Sequence, residues 1–117
     1  MKVKIGENIF SVKIADNNYS RAQGMMKRTF TDEFNGMLFL MNEHTNCFWM
    51  KDCVIPLDII FIDKQTISKI HHDCLPCDVE EACEEFTGFG DRVLELQGGT
   101  CQRLNIKEGD IIRTTLY

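Results

Sequence analysis

Apolar and polar residues alternate along several short stretches of the chain, which is the pattern of half-buried β-strands. Two such stretches, residues 3–5 and 9–14, flank a polar turn at residues 6–8 and predict an opening β-hairpin. The same pattern predicts six later strands, over residues 37–41, 47–52, 57–63, 66–71, 92–96 and 111–116. Short connections between most of them favour antiparallel pairing.

Helical signals are confined to two short segments. Asn17 or Asn18 can cap a helix that runs to about Met26, and a helical turn is predicted near residues 100–104. Residues 72–91 are polar, acidic and rich in cysteine, so we expect a long loop there. The predicted fold class is α+β and mostly β, a small antiparallel barrel or closed sheet with one or two short helices.

Composition narrows the class of protein without naming a function. The 117 residues predict a single domain spanning residues 1–117, and the net charge of −5 argues against binding to nucleic acid. No apolar run approaches the roughly 20 residues that span a bilayer, so no membrane partner is predicted. The first residues alternate like a strand rather than forming a signal peptide, which predicts a cytoplasmic protein with reduced cysteines. A chain from which a signal peptide had been removed would look the same, and no oligomeric state is predicted.

Several sequence blocks occur together in a recognisable order. They are RAQGMMKR at residues 21–28, GMLFLM at 36–41, FWMKDCVIPLDIIFID at 48–63, VLELQGG at 93–99 and IKEGDII at 106–112. In this order they resemble the family called domain of unknown function 192. The resemblance covers nearly the whole chain and implies a small β-rich domain with no established activity, so it transfers no catalytic residue.

The chain departs from the usual wording of that family at a few positions. Asp52 and Cys53 stand where asparagine and threonine are usual, and Met25 stands where leucine is usual. The resemblance also relates Cys77 and Cys83 to a cysteine pair present in some members. A disulfide between these two residues would require an oxidising environment.

Lys51 and Asp58 are charged residues within a strongly apolar, β-prone block. If the strands on either side of the Cys53–Pro56 turn form a hairpin, Lys51 lies opposite Asp58. Such a pair can capture a carboxylate or tune acid–base chemistry. The alternatives are a purely structural ion pair, or an aspartate that caps the backbone of the turn.

Four further residues are candidate ligand contacts. Arg21 and Arg28 could hold an anion through their guanidinium groups, although a solvated face with one arginine in a salt bridge is the favoured explanation. Glu95 alternates with apolar neighbours, which usually indicates an acid that faces solvent; an inward acid paired with an arginine is the alternative. Trp49 would suit a ligand platform, although core packing is the commoner use of tryptophan.

Four of the six cysteines raise the possibility of a metal site. Cys74 and Cys77 form a CxxC pair, followed by Cys83 and the distant Cys101. Thiolates with this spacing could hold zinc, but no second pair with zinc-finger spacing follows. The acidic residues that follow the pair disfavour a redox-active thiolate. We therefore predict no required cofactor and keep zinc as an alternative.

The sequence favours a binding function over catalysis. The expected ligand is a small anionic or amphipathic molecule, or a peptide, held at a pocket formed by Arg21, Arg28, Trp49, Lys51, Asp58 and Glu95. A small hydrolase or transferase that uses Asp58 or Glu95 as its base is the alternative from another class. A partner-binding module and a metal-binding module on the Cys74–Cys83 loop remain further alternatives.

Overall fold

The computed structural model describes residues 1–115, which form nine β-strands and two short α-helices. The strands are β1 (Lys2–Ile5), β2 (Asn8–Ala15), β3 (Gly36–Leu40), β4 (Thr45–Phe48), β5 (Leu57–Asp63), β6 (Thr66–Cys74), β7 (Phe86–Phe89), β8 (Arg92–Gln97) and β9 (Ile112–Thr115). The helices are α1 (Asn18–Gln23) and α2 (Thr100–Leu104), and a single 3₁₀ turn covers Glu80–Ala82.

Seven of the strands form one sheet in the order β6-β5-β8-β3-β2-β1-β9. Every neighbouring pair is antiparallel except β2 and β3, which are parallel. The two edge strands approach each other at one end, where Thr66 bridges Ile111 and the Ile112 N–H donates to the Gln65 carbonyl at 2.8 Å. The sheet is therefore curled into a half-barrel, and the predicted fold class, α+β and mostly β, is confirmed.

The central strands are apolar on both faces because each face carries its own core. Ile60, Ile62 and Leu94 belong to one core, together with Cys101 at the start of α2. The opposite face carries a second core, which includes Ile59, Phe61 and Val93. The β4–β7 ribbon lies over this second core, and Gly88 permits the contact because a Cβ there would stand 2.3 Å from the Phe61 ring.

The first helix is shorter than the sequence predicts. Asn17 caps α1 as expected: its side chain accepts from the Ser20 N–H, and the Ser20 hydroxyl accepts from the Asn17 N–H. The helix ends at Gln23 because Gly24 adopts a φ of 45°, outside the helical region. Met26 therefore lies beyond the helix.

The strand predicted over residues 47–52 is wrong in its second half. Strand β4 ends at Phe48, and Asp52 has a φ of 61°, which no extended strand accommodates. The backbone after β4 is held instead by the cysteine-rich region: Asp52 donates to the Cys77 carbonyl at 2.9 Å, and Cys77 donates to Met50 at 3.2 Å. That region is also not one long loop, because it contains the partner strand β7.

The remaining strands are close to their predicted positions. Strand β6 continues three residues past its predicted end at His71, to Cys74, because its pairing with β5 extends to Leu57. The last predicted strand covered residues 111–116, of which Leu116 lies outside the described residues. No helix among residues 1–115 is long and apolar enough to cross a membrane.

Candidate functional site

A cavity of about 300 Å³ opens on the second core, between α1 and the chain that follows β4. We call it the α1 cavity. Its lining includes Asn18, Arg21, Gln23, Gly24, Met25, Met26, Phe39, Met41, Cys47, Phe48, Trp49, Lys51, Cys53 and Glu95. Most of these residues belong to the sequence blocks on which the family resemblance rests. Blocks that are distant along the chain thus meet at one concave site.

Glu95 is the buried acid of this cavity. It lies on the central strand β8, between Met37 of β3 and Ile59 of β5, and only 3% of its surface is exposed. No ion pair or side-chain hydrogen bond to its carboxyl group exists among residues 1–115, and burial alone raises the pKa of Glu95 to about 8. At neutral pH this carboxyl is therefore largely protonated and can donate as well as accept a hydrogen bond.

Two cations stand among the lining residues. The Arg21 guanidinium on α1 donates to the Leu40 carbonyl at 2.7 Å and to the Asn18 side chain at 3.1 Å. These bonds fix the guanidinium and leave other N–H groups free to meet an anion. The Lys51 ammonium lies 3.0 Å from the Asp52 carboxylate, and this hydrogen bond raises the pKa of Lys51.

The walls of the α1 cavity are largely aromatic and sulfur-containing. The rings of Phe39 and Phe48 meet edge to face with their centroids 5.0 Å apart. Trp49 is 37% exposed, so one part of its indole remains accessible. Cys53 is half-buried, and burial followed by the nearby Glu95 charge raises the pKa of its thiol to about 12. Cys53 thus stays a neutral thiol, which disfavours its use as a nucleophile.

Asp58 is not part of the α1 cavity. Its side chain is fully buried on the other face of the sheet, where its carboxylate accepts three backbone hydrogen bonds. The donors are the N–H groups of Asp73 at 2.8 Å, Gly99 at 3.1 Å and Cys101 at 2.8 Å. Asp58 therefore ties β5 to the end of β6 and to the start of α2.

The predicted pairing of Lys51 with Asp58 is wrong. Strand β4 pairs with β7, whereas β5 pairs with β6 and β8, so no hairpin places the two residues opposite each other. Asp58 does cap backbone N–H groups, as the alternative supposed. The N–H groups come from β6 and α2 rather than from the Ile55-Pro56 turn.

The other predicted site residues divide into two groups. Arg21, Trp49, Lys51 and Glu95 all line the α1 cavity, whereas Arg28 does not. The solvent-facing interpretation of Glu95 is wrong, since the second core covers this face of β8. The alternative of an inward acid is right in its orientation, but among residues 1–115 no ion pair joins Glu95 to an arginine, and the side-chain bonds of Arg21 go to Leu40 and Asn18.

The four cysteines of the possible metal site are not brought together as a ligand set. Cys77 and Cys83 form a disulfide with a Cα–Cα distance of 5.7 Å, so the prediction of reduced cysteines is wrong for this pair. Cys74 and Cys101 are buried in different cores. Within residues 1–115, no group of three or more His, Cys, Asp or Glu side chains is placed to hold a metal ion.

Sequence reasoning missed several residues that line the α1 cavity. Phe39, Phe48 and Cys53 had the pattern of core or turn residues and were not assigned to a site. The sequence did contain a signal for these residues, because each lies in a block that carries the family resemblance. Cys53 also stands where the family usually has threonine. Alternation alone could not reveal a cavity between a sheet and the segments that cover it.

Comparison with known proteins identifies similar sequences and folds. The model of the DUF192 family, described as "Uncharacterized ACR", matches residues 1–114. A protein of unknown function from Novosphingobium aromaticivorans is 35% identical, with a TM-score of 0.83 over 97% of this chain and 84% of that one. A structure from Sinorhizobium meliloti, named a "putative transcription regulator", is 31% identical, with a TM-score of 0.79 over 96% and 89% of the two chains. No curated protein matches.

Proposed function

We propose a ligand-binding function for this chain, which belongs to the DUF192 family of uncharacterized proteins. The ligand is a small molecule, or the end of a peptide, that carries an anionic group on an apolar body. The α1 cavity holds it. The observation that carries this proposal is the placement of two cations, Arg21 and Lys51, around a concave site whose walls are aromatic and sulfur-containing.

The anionic group is bound by Arg21 with help from Lys51. Because its bonds to Leu40 and Asn18 already fix the Arg21 guanidinium, little side-chain entropy is lost when an anion binds. The Lys51 charge is partly offset by Asp52, so it contributes less. A carboxylate or phosphate can accept two parallel hydrogen bonds from a guanidinium.

The apolar body of the ligand packs against the cavity walls. Removing each CH₂ group from water contributes roughly 0.8 kcal/mol, so a short aliphatic chain adds several kcal/mol to binding. Phe39, Phe48 and Met26 supply the apolar surface. The volume of about 300 Å³ lies at the small end of ligand sites, so a compact molecule or a single terminal residue fits better than a long peptide.

The name of the S. meliloti structure refers to transcription regulation, and a role of that kind through direct binding to DNA fits this chain poorly. The net charge is −5, and residues 70–91 contain no lysine or arginine. Phosphate backbones are bound mainly by clustered basic residues. We therefore do not extend that role to this chain.

Catalysis with Glu95 as the base is the second candidate. The raised pKa of about 8 lets this carboxyl exchange a proton near neutral pH, as a general acid or base requires. Asp58 has no comparable role, because its carboxylate already accepts three N–H groups and lies away from the cavity. Turnover of a bound ester or amide that is lost in Glu95→Gln would support this candidate over simple binding.

The single tryptophan provides a direct test of binding. Trp49 lines the α1 cavity, so its emission reports on occupancy. We expect a saturable change when hexanoate is added, and an affinity about tenfold lower in Arg21→Ala, which corresponds to about 1.4 kcal/mol. Arg103→Ala is the matched control, since Arg103 is exposed and does not line the cavity. A linear, unsaturated response in the wild type would refute the proposal.

A further inference from the structure

We propose that the ligand of the α1 cavity is bipolar, with its anionic group at Arg21 and an amine at the opposite end, beside Glu95. This inference rests on the proposed function and narrows it to a chemical class, the amino-carboxylates with a short apolar spacer. The two ends are recognised by different residues of the cavity. The class follows from three observations on the described residues.

First, Glu95 is buried without a partner of its own. It occupies the central strand β8 with neighbouring strands on both sides, and its side chain lines the cavity. Its carboxyl oxygens keep access to the cavity space, because no fully buried side-chain oxygen or nitrogen among residues 1–115 lacks a hydrogen-bond partner. Water in the cavity can hydrate such a group, and a ligand donor can replace that water. A carboxyl group left open toward a cavity is therefore a position at which a ligand donor is expected.

Second, the cations that line the cavity are engaged elsewhere. The Arg21 guanidinium donates to Leu40 and Asn18, and the Lys51 ammonium is paired with Asp52. Burial raises the pKa of Glu95, and no ion pair joins its carboxyl group to a cation among residues 1–115. A positive charge that compensates an ionised Glu95 must therefore come from the ligand.

Third, the walls suit a cation as well as an alkyl chain. Phe39, Phe48 and Trp49 all line the cavity. Faces of aromatic rings attract ammonium groups, and aromatic residues combined with a carboxylate are a common way to bind amines. Apolar walls alone would not distinguish an alkyl chain that ends in an amine from one that ends in a methyl group. The carboxyl group of Glu95 supplies the preference for the amine.

Binding of the ammonium form displaces a proton. In the free protein Glu95 is mostly protonated below its pKa of about 8, and the complex holds a carboxylate beside an ammonium. One proton therefore passes from Glu95 to solvent on binding. The affinity should rise by up to about tenfold per pH unit between pH 6 and pH 8, and then level off.

Other groups around Glu95 do not titrate in this range. The Cys53 and Cys74 thiols both have pKa values raised to about 12, so they remain neutral. Lys51 remains charged, because its hydrogen bond to Asp52 raises its pKa above the ordinary value of lysine. The pH dependence therefore reports on Glu95 and on the ligand amine.

The test compares three ligands of one chain length by isothermal titration calorimetry: hexanoate, 6-aminohexanoate and hexylamine. We expect 6-aminohexanoate to bind wild-type protein about tenfold more tightly than hexanoate at pH 8. Proton release should be about half a proton at pH 8, where Glu95 is half ionised, and should approach one proton at about pH 6.5. Glu95→Gln should abolish this preference while hexanoate binding survives. Binding of hexanoate by Glu95→Gln also verifies that this variant is folded. If the variant does not fold, proton release by the wild-type protein still tests whether the ligand amine lies beside Glu95.

The outcomes separate this inference from the function on which it rests. If hexanoate binds as tightly as 6-aminohexanoate, or if Glu95→Gln keeps the preference, the bipolar ligand is refuted while the binding function stands. If 6-aminohexanoate binds the wild type without releasing a proton, the assignment of its amine to Glu95 is refuted as well. If none of the three ligands binds, both proposals fail.

Discussion

Asp58 and Glu95 lie on neighbouring antiparallel strands and face opposite sides of one sheet. Asp58 pairs in register with Leu96, and Glu95 pairs with Ile59, so the two carboxyl groups point into different cores. The first accepts three backbone N–H groups, whereas the second has no side-chain or ionic partner among residues 1–115. One buried acid therefore serves the fold, and the other is available to a ligand.

Replacement of Asp58 should damage the fold and leave the site intact. In Asp58→Asn, an amide group must face N–H donors that the carboxylate accepted, so we expect a loss of about 2–3 kcal/mol in the free energy of unfolding. Urea denaturation measures this loss. Asp32→Asn is the control, because Asp32 is exposed. A fully stable Asp58→Asn protein would show that these three hydrogen bonds contribute little.

Glu95 should make the stability of the protein depend on pH. Its folded-state pKa of about 8 lies above the ordinary value of 4.5, so the unfolded state releases its proton first as the pH rises. The free energy of unfolding should therefore fall between about pH 4.5 and pH 8, by up to about 1.4 kcal/mol per pH unit, and then level off. Chemical denaturation across this range should show a flatter profile for Glu95→Gln. Identical profiles would contradict a buried, protonated Glu95.

The disulfide should stabilise both the protein and the cavity. The bridge from Cys77 to Cys83 closes a short loop, for which loop-entropy arguments give about 2 kcal/mol. Cys77 also holds the backbone of Met50 and Asp52, on either side of Lys51. Reduction with dithiothreitol should therefore lower the melting temperature and weaken hexanoate binding, whereas the double variant Cys77→Ser/Cys83→Ser should be insensitive to the reductant. An unchanged affinity after complete reduction would show that the loop does not support the site.

Gly24 should be more sensitive to substitution than Gly6, a second glycine with a positive φ. Gly24 has a φ of 45°, and a Cβ there would stand 3.1 Å from the Phe39 ring. Gly6 has a φ of 60° with nothing within 4 Å. Alanine at either position should cost about 1–2 kcal/mol of backbone strain, measured by urea unfolding. Because Phe39 lines the cavity, only Gly24→Ala should also weaken hexanoate binding. If the two variants bind hexanoate with equal affinity, Phe39 does not contact the ligand.

The sequence predicted most of the strands and the start of α1, because the pattern that indicates each element lies within that element. The apolar run of β5 and the capped start of α1 were predicted correctly, since burial and capping depend on adjacent residues. The segment after Phe48 was not, because its β-prone residues are held by Cys77, which is distant along the chain. Interactions of this kind leave no periodic signal.

The roles of the two acids also depended on distant partners. The donors to Asp58 are 15, 41 and 43 residues away along the chain, so the sequence indicated a buried charge without indicating what satisfies it. Glu95 alternated with apolar neighbours as a solvent-facing acid would. The position of β8 between β5 and β3, under the second core, reveals that Glu95 is enclosed.

A crystal structure of the protein soaked with hexanoate tests the account most directly. We predict density for the ligand inside the α1 cavity, with its carboxylate within hydrogen-bond distance of the Arg21 guanidinium and its alkyl chain directed toward Glu95. Ordered water alone in a fully accessible cavity at saturating hexanoate, or a ligand bound only elsewhere on the surface, would contradict it.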